Sequence, residues 1–193
     1  MLALLSGLLA GSLHTLSGPD HLAAVLPLAA HAPARARLFG TFWGLGHGGG
    51  MLFWLLVGLS CRSAAPLARV SHWAELLVGF SLVLVGLWTL RSRTRERPGH
   101  HHSERAALGL GALHGTAGAG HLFAALPLLG LSVPDGVFYC LGFVISGVVS
   151  MAGAGLFMGR VAGRPSFTAH ARPVCALITF VVGCAWIADA LSV

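Results

Sequence analysis

At 193 residues, with 55% of them hydrophobic, only 9% charged and a mean hydropathy of +0.80, the chain is too apolar for a soluble domain. The formal net charge of +6 rests entirely on arginine, and the twelve arginines fall between the apolar runs, which speaks for membrane topology and against nucleic-acid binding. Runs long enough to cross a hydrocarbon core of about 30 Å occupy 2–30, 37–59, 73–90, 106–131, 135–159 and 173–191. They predict an all-α integral membrane protein, a single domain over 1–193 with six transmembrane helices.

The first run has no basic stretch ahead of it and carries a polar motif, so it reads as part of the working protein and not as a signal peptide. That motif is His14-Thr15-Leu16-Ser17-Gly18-Pro19-Asp20-His21. A carboxylate in hydrocarbon costs several kcal/mol unless paired, which marks Asp20 as functional, and a cation would pair with all three ionisable groups. In a continuous helix His14 and His21 share a face but stand about 10 Å apart. Pro19 removes a backbone donor and Gly18 tolerates unusual dihedrals, so unwinding there can fold Asp20 and His21 back toward His14. Imidazoles with a carboxylate suit nickel, cobalt, copper or zinc better than calcium or magnesium.

The second run holds Trp43-Gly44-Leu45-Gly46-His47-Gly48-Gly49-Gly50. His47 is another intramembrane imidazole, and the five glycines around it let a neighbouring backbone or an ion come close. The bland alternative is an imidazole bonded to a helix carbonyl. Near the third run, Arg69, His72 and Glu75 read as interfacial charge, as does Asp189 near the end of the chain. The polar stretch 91–105, with His100-His101-His102, reads as a solvated linker. Cys61, Cys140, Cys175 and Cys184 show no paired spacing and read as small packing residues.

Beyond the linker the motif returns at an offset of 100 residues: His114, Gly118, His121 and Pro127 repeat His14, Gly18, His21 and Pro27, with Gly120 in place of Asp20. Repeat 1 then covers 1–90, the linker 91–105 and repeat 2 106–193. Three helices per half reverse the second half in the membrane, which predicts two inverted three-helix repeats with helices 1 and 4 broken, as in many secondary transporters. His114 and His121 join the candidate metal ligands behind His14, Asp20 and His21, together with His47.

His14 through His21, followed by the Gly46-His47 pair, resembles the nickel/cobalt permease superfamily with its His-x(4 or 5)-Asp-His and Gly-His signatures. The wording is similar to the short six-helix branch related to urease-accessory-protein-H-like permeases, which has bacterial and plastid members. The longer eight-helix permeases have four residues where this chain has five. The resemblance implies a permease for Ni2+ or Co2+, bound as substrate at mid-depth, with no resident cofactor and no enzymatic activity. Its implied surroundings are the lipid bilayer, with a second copy or an accessory metallochaperone as candidate partners.

Other classes fit less well. A membrane haem electron-transfer protein could use the same histidines as axial ligands, but Asp20 has no place there. A thiol-disulfide carrier needs paired cysteines, and an intramembrane metalloprotease needs an HExxH helix; the sequence has neither. Another substrate on the same fold stays open.

Ten arginines (35, 37, 91, 93, 95, 97, 105, 160, 164 and 172) lie on one side of the expected topology, and Arg62 and Arg69 on the other. The arginine-rich side stays cytoplasmic, which predicts a multi-pass protein of the cell inner membrane with both termini extracytoplasmic. In a cysteine-free background, cysteine at position 192 should react with an impermeant thiol reagent in intact cells and cysteine at position 103 should not. The opposite pattern overturns the orientation.

Overall fold

The computed structural model describes residues 1–60, 65–91, 102–117, 130–164 and 168–192, and among them the chain is all-α. Its helices are α1 Leu2–Ser17, α2 Pro19–His31, α3 Ala36–Ser60, α4 Ala65–Arg91, α5 His102–Thr116, α6 Val133–Ala162 and α7 Thr168–Leu191, with a 3-10 turn at Pro33–Arg35.

This corrects the expected architecture of six transmembrane helices in two inverted three-helix repeats. The described residues form seven α-helices, of which three contain a segment long and apolar enough to cross a membrane: Ser71–Arg91, Val133–Ala162 and Arg172–Leu191. The first apolar run fails as one span because it breaks at Gly18, which is extended (φ −77°, ψ 108°) between two helices. The pieces have 16 and 13 residues, about 24 and 20 Å at 1.5 Å per residue, each short of a hydrocarbon core. The 15 residues of α5 reach only about 22 Å. With 25 residues α3 is long enough, but His47 and its glycines dilute its hydropathy. Residues 102–105, expected in the linker, are already the first turn of α5.

Burial divides the two halves of the first run. In α1 only Ala3, Gly7, Gly11 and Thr15 are buried, one stripe at four-residue spacing, while Leu5, Leu9 and Leu13 are exposed. Ten of the 13 residues of α2 are buried, and its Ala23, Ala24, Val25 and Leu28 share a core with Phe39, Trp43, Val78, Leu82 and Met151. Thus α2 is the central post and α1 an outer helix. The exposed leucines of α1 join Leu77 and Leu84 of α4, Ile145 and Val149 of α6, and Leu177 and Val181 of α7, an apolar exterior suited to lipid and far larger than water tolerates.

Pairwise, α1 packs on α6, α3 on both α5 and α6, and α4 on α7. Glycine sets these contacts. A Cβ on Gly7 or Gly11 would strike the carbonyl of Tyr139 or Phe143, and one on Gly111 or Gly115 would strike that of Trp43 or His47. On α3, Gly46 and Gly50 back onto α5, while Gly44 and Gly48 meet Val148 and Val144 of α6. Such small-residue faces permit backbone-to-backbone approach in helices that gain nothing from expelling water.

Pro27 lies inside α2 and has no N–H, so the carbonyl of Ala23, four residues earlier, loses its helical partner. The hydroxyl of Thr179, fully buried on α7, donates to that carbonyl at 2.8 Å. At the far end of α2, Arg172 donates to Nδ1 of His31 at 2.6 Å. Together these bonds pin the central helix to α7. Thr179→Val keeps the shape and removes the donor, so it should cost about 1–3 kcal/mol and lower the thermal unfolding midpoint in detergent by several degrees, whereas Thr179→Ser should stay near wild type. An unchanged midpoint for the valine variant would show that the Ala23 carbonyl finds another partner.

Candidate metal centre

The break between α1 and α2 assembles the site. Pro19 stands four residues after Thr15, so the Thr15 carbonyl has no N–H to accept from. His21 fills the position, its Nδ1 lying 3.3 Å from the Thr15 oxygen. A carbonyl only accepts, so Nδ1 carries a proton toward Thr15 and Nε2 faces the other way. That Nε2 lies 3.6 Å from Oδ2 of Asp20. Gly18 is needed for close approach: a Cβ there would come within 2.5 Å of the His21 Nδ1.

Asp20 sits in the first turn of α2, where the positive end of the helix dipole favours a carboxylate. His14 occupies the last turn of α1, where the negative end favours a cation. The interruption thus places two complementary helix ends at one buried point.

His47 enters from α3. Its glycine faces are taken by α5 on one side and α6 on the other, so the imidazole points along a third face toward the break. Ring centroids are 5.1 Å apart for His14 and His21, 5.5 Å for His14 and His47, and 4.8 Å for His21 and His47. One nitrogen from each of the three lies within 4.8 Å of the others, an arrangement able to hold a metal ion. Asp20, His21 and His47 are each no more than 5% exposed.

The other expected ligands divide. His114 is buried beside the group with its ring 6.2 Å from His21, and its Nδ1 donates to the Leu110 carbonyl at 2.8 Å. It flanks the trio. His121, like Gly118, Gly120, Pro127, His100 and His101, lies outside the described residues. Glu75 accepts from Ser71 on α4, and His72 meets the exposed Trp73.

Sequence reading gave no role to three neighbours. Trp43, fully buried one turn before His47, stacks on its ring at 4.9 Å and 17° and touches His21 at 5.0 Å and His114 at 5.4 Å. Phe143 lies 5.5 Å from His14. Thr15 contributes its carbonyl. The four-residue spacings of Trp43 to His47 and of Thr15 to Pro19 were the available signals; nothing local points to Phe143.

No family model and no solved structure matches the chain. Two proteins of Arabidopsis thaliana are similar to it. Chloroplast protein FOR GROWTH AND FERTILITY 1 is 39% identical over 82 residues, covering 42% of this chain and 22% of that protein. Chloroplast protein FOR GROWTH AND FERTILITY 2 is 30% identical over 173 residues, covering 80% of this chain and 46% of that protein. The chain therefore spans less than half the length of either relative.

The chain thus combines helices long and apolar enough to span a membrane with a buried three-histidine cluster suited to a metal ion. The hydrogen bonds to Thr15 and Leu110 assign both His21 and His114 as Nδ1–H tautomers. Nitrogen-15 NMR of histidine-labelled protein in micelles should show this form for both rings. Gly18→Ala should disturb His21 and leave His114 unchanged; a wild-type His21 protonated at Nε2 would refute the assignment.

Proposed function

We propose that the protein is a membrane permease for a divalent transition-metal cation, Ni2+ in the first place and Co2+ in the second, carried through the site at the α1–α2 break. The observation behind this reading is the convergence of His14, His21 and His47 from three helices, with Asp20 beside His21. Two donors on one ion, each about 2.1 Å from it, stand roughly 3.4 Å apart in tetrahedral geometry. The 3.6 Å between Asp20 Oδ2 and His21 Nε2 already matches. The trio, within 4.8 Å, reaches that spacing by about an ångström of inward movement, as suits a cargo site that must also release.

Chemistry supports the choice of ion. Neutral imidazoles with one carboxylate favour nickel, cobalt, copper or zinc over harder cations, and the motif residues that resemble the nickel/cobalt permeases are the ones clustered at the break. The two plant relatives carry names that give a plastid location and an effect on growth and fertility, with no cargo. Imidazole must be deprotonated to bind metal, so protons compete with the cation and affinity falls as pH drops.

Uptake of Ni2+ into proteoliposomes containing a metal-quenched dye tests the proposal. His14→Ala, His21→Ala, His47→Ala and Asp20→Asn should each reduce the rate by roughly 10- to 100-fold, the range for loss of a ligand or its supporting partner, with the protein still inserted. His114→Ala should cost less. Normal transport by both Asp20→Asn and His47→Ala, or a haem Soret band in the purified protein, would overturn this function.

A further inference from the structure

We propose that the shallow groove between the 3-10 turn Pro33–Arg35 and the end of α6 binds the phosphodiester headgroup of an anionic phospholipid. The inference rests on the long apolar helices crossing a bilayer, and is independent of which ion is carried. The groove has a volume of about 470 Å³, with Pro33, Ala34 and Leu156 forming an apolar wall and Arg160 and Arg164 a basic one. Gly159 and Gly163 also line it. A Cβ on Gly159 would press on the Pro33 carbonyl and on Ala36, so glycine both draws the turn against α6 and leaves the groove open.

Depth favours a headgroup. Asp135 and Arg160 are the first charges met from the two ends of α6, and 25 residues separate them, about 37 Å along a helix. The apolar stretch between them matches the hydrocarbon core, which puts Arg160 at the phosphate level and Arg164 one turn farther out. Both arginines are exposed, and neither forms an ion pair among the described residues. Two neighbouring arginines are committed: Arg35 pairs with Glu104 and Arg172 bonds to His31. Two guanidinium groups one turn apart present planar paired donors that match phosphate oxygens. Toward the membrane centre the exposed Phe157 and Val149 continue an apolar surface on which an acyl chain can lie.

The test is lipid retention by the full chain in neutral detergent, measured by native mass spectrometry after incubation with equal phosphatidylglycerol and phosphatidylcholine. Phosphatidylglycerol should be retained preferentially. Arg160→Gln with Arg164→Gln should reduce that retention roughly tenfold or more, and Arg91→Gln, at an exposed arginine of α4, should leave it unchanged. The single variants give the same reading if the double variant is poorly folded. Equal retention of the two lipids, an equal loss with Arg91→Gln, or displacement of the lipid by millimolar inorganic phosphate would each overturn the proposal, the last by assigning the groove to free phosphate.

Discussion

The Thr15 carbonyl loses its helical partner because Pro19 stands four residues on, and the His21 imidazole takes that place at 3.3 Å. A buried carbonyl left without a donor costs about 1–3 kcal/mol, so the bond stabilises the break and fixes the ring that the break exposes. The consequences run outward from there. The His21 proton is held on Nδ1, Nε2 is turned toward Asp20, and the end of α1 brings His14 within ring contact. The same device recurs two turns later, where Pro27 frees the Ala23 carbonyl and Thr179 answers from α7. One proline shapes the site; the other ties its supporting helix to the rest of the protein.

Building the site shortens three of the helices that carry it, α1, α2 and α5, and dilutes α3 with His47 and its glycines. His14, Asp20, His21, His47 and His114 lie on α1, α2, α3 and α5, and none of these meets the length and hydropathy of a membrane span. The three that do, in α4, α6 and α7, pack around them. Polar and broken backbone at membrane depth is tolerated where protein surrounds it, and the near-complete burial of α2 meets that condition. The leucines of α1, in contrast, face outward, so one half of the broken helix borders lipid and the other borders protein.

Packing without a water-driven force between helices relies on close backbone contact, and the glycines of α3 show how that contact also directs chemistry. With Gly46 and Gly50 against α5 and Gly44 and Gly48 against α6, and with Leu45, Leu52 and Phe53 facing outward, only one inward face of α3 is left for a long side chain. Trp43 and His47 share that face and stack there. The Trp43 ring touches three of the four imidazoles around the break, so it limits how far they can splay.

By itself the sequence determined whatever depends on residues within a turn of one another. The extents of α3, α6 and α7, the interruption at Gly18-Pro19 and the return of His21 toward His14 follow from apolar runs and from the chemistry of proline and glycine. The count of six spans was wrong for a related reason: a hydropathy window sums across Gly18 although the backbone does not continue through it. Tertiary structure alone decided the rest. His47 became an equal member of the trio because α5 and α6 occupy its helix's glycine faces, and Phe143 and Thr179 reached the centre from segments more than 120 residues from the motif. Periodicity tells which side of a helix is apolar, but in a bilayer most sides are apolar, so the partner is chosen by the shape of distant backbones meeting across glycine.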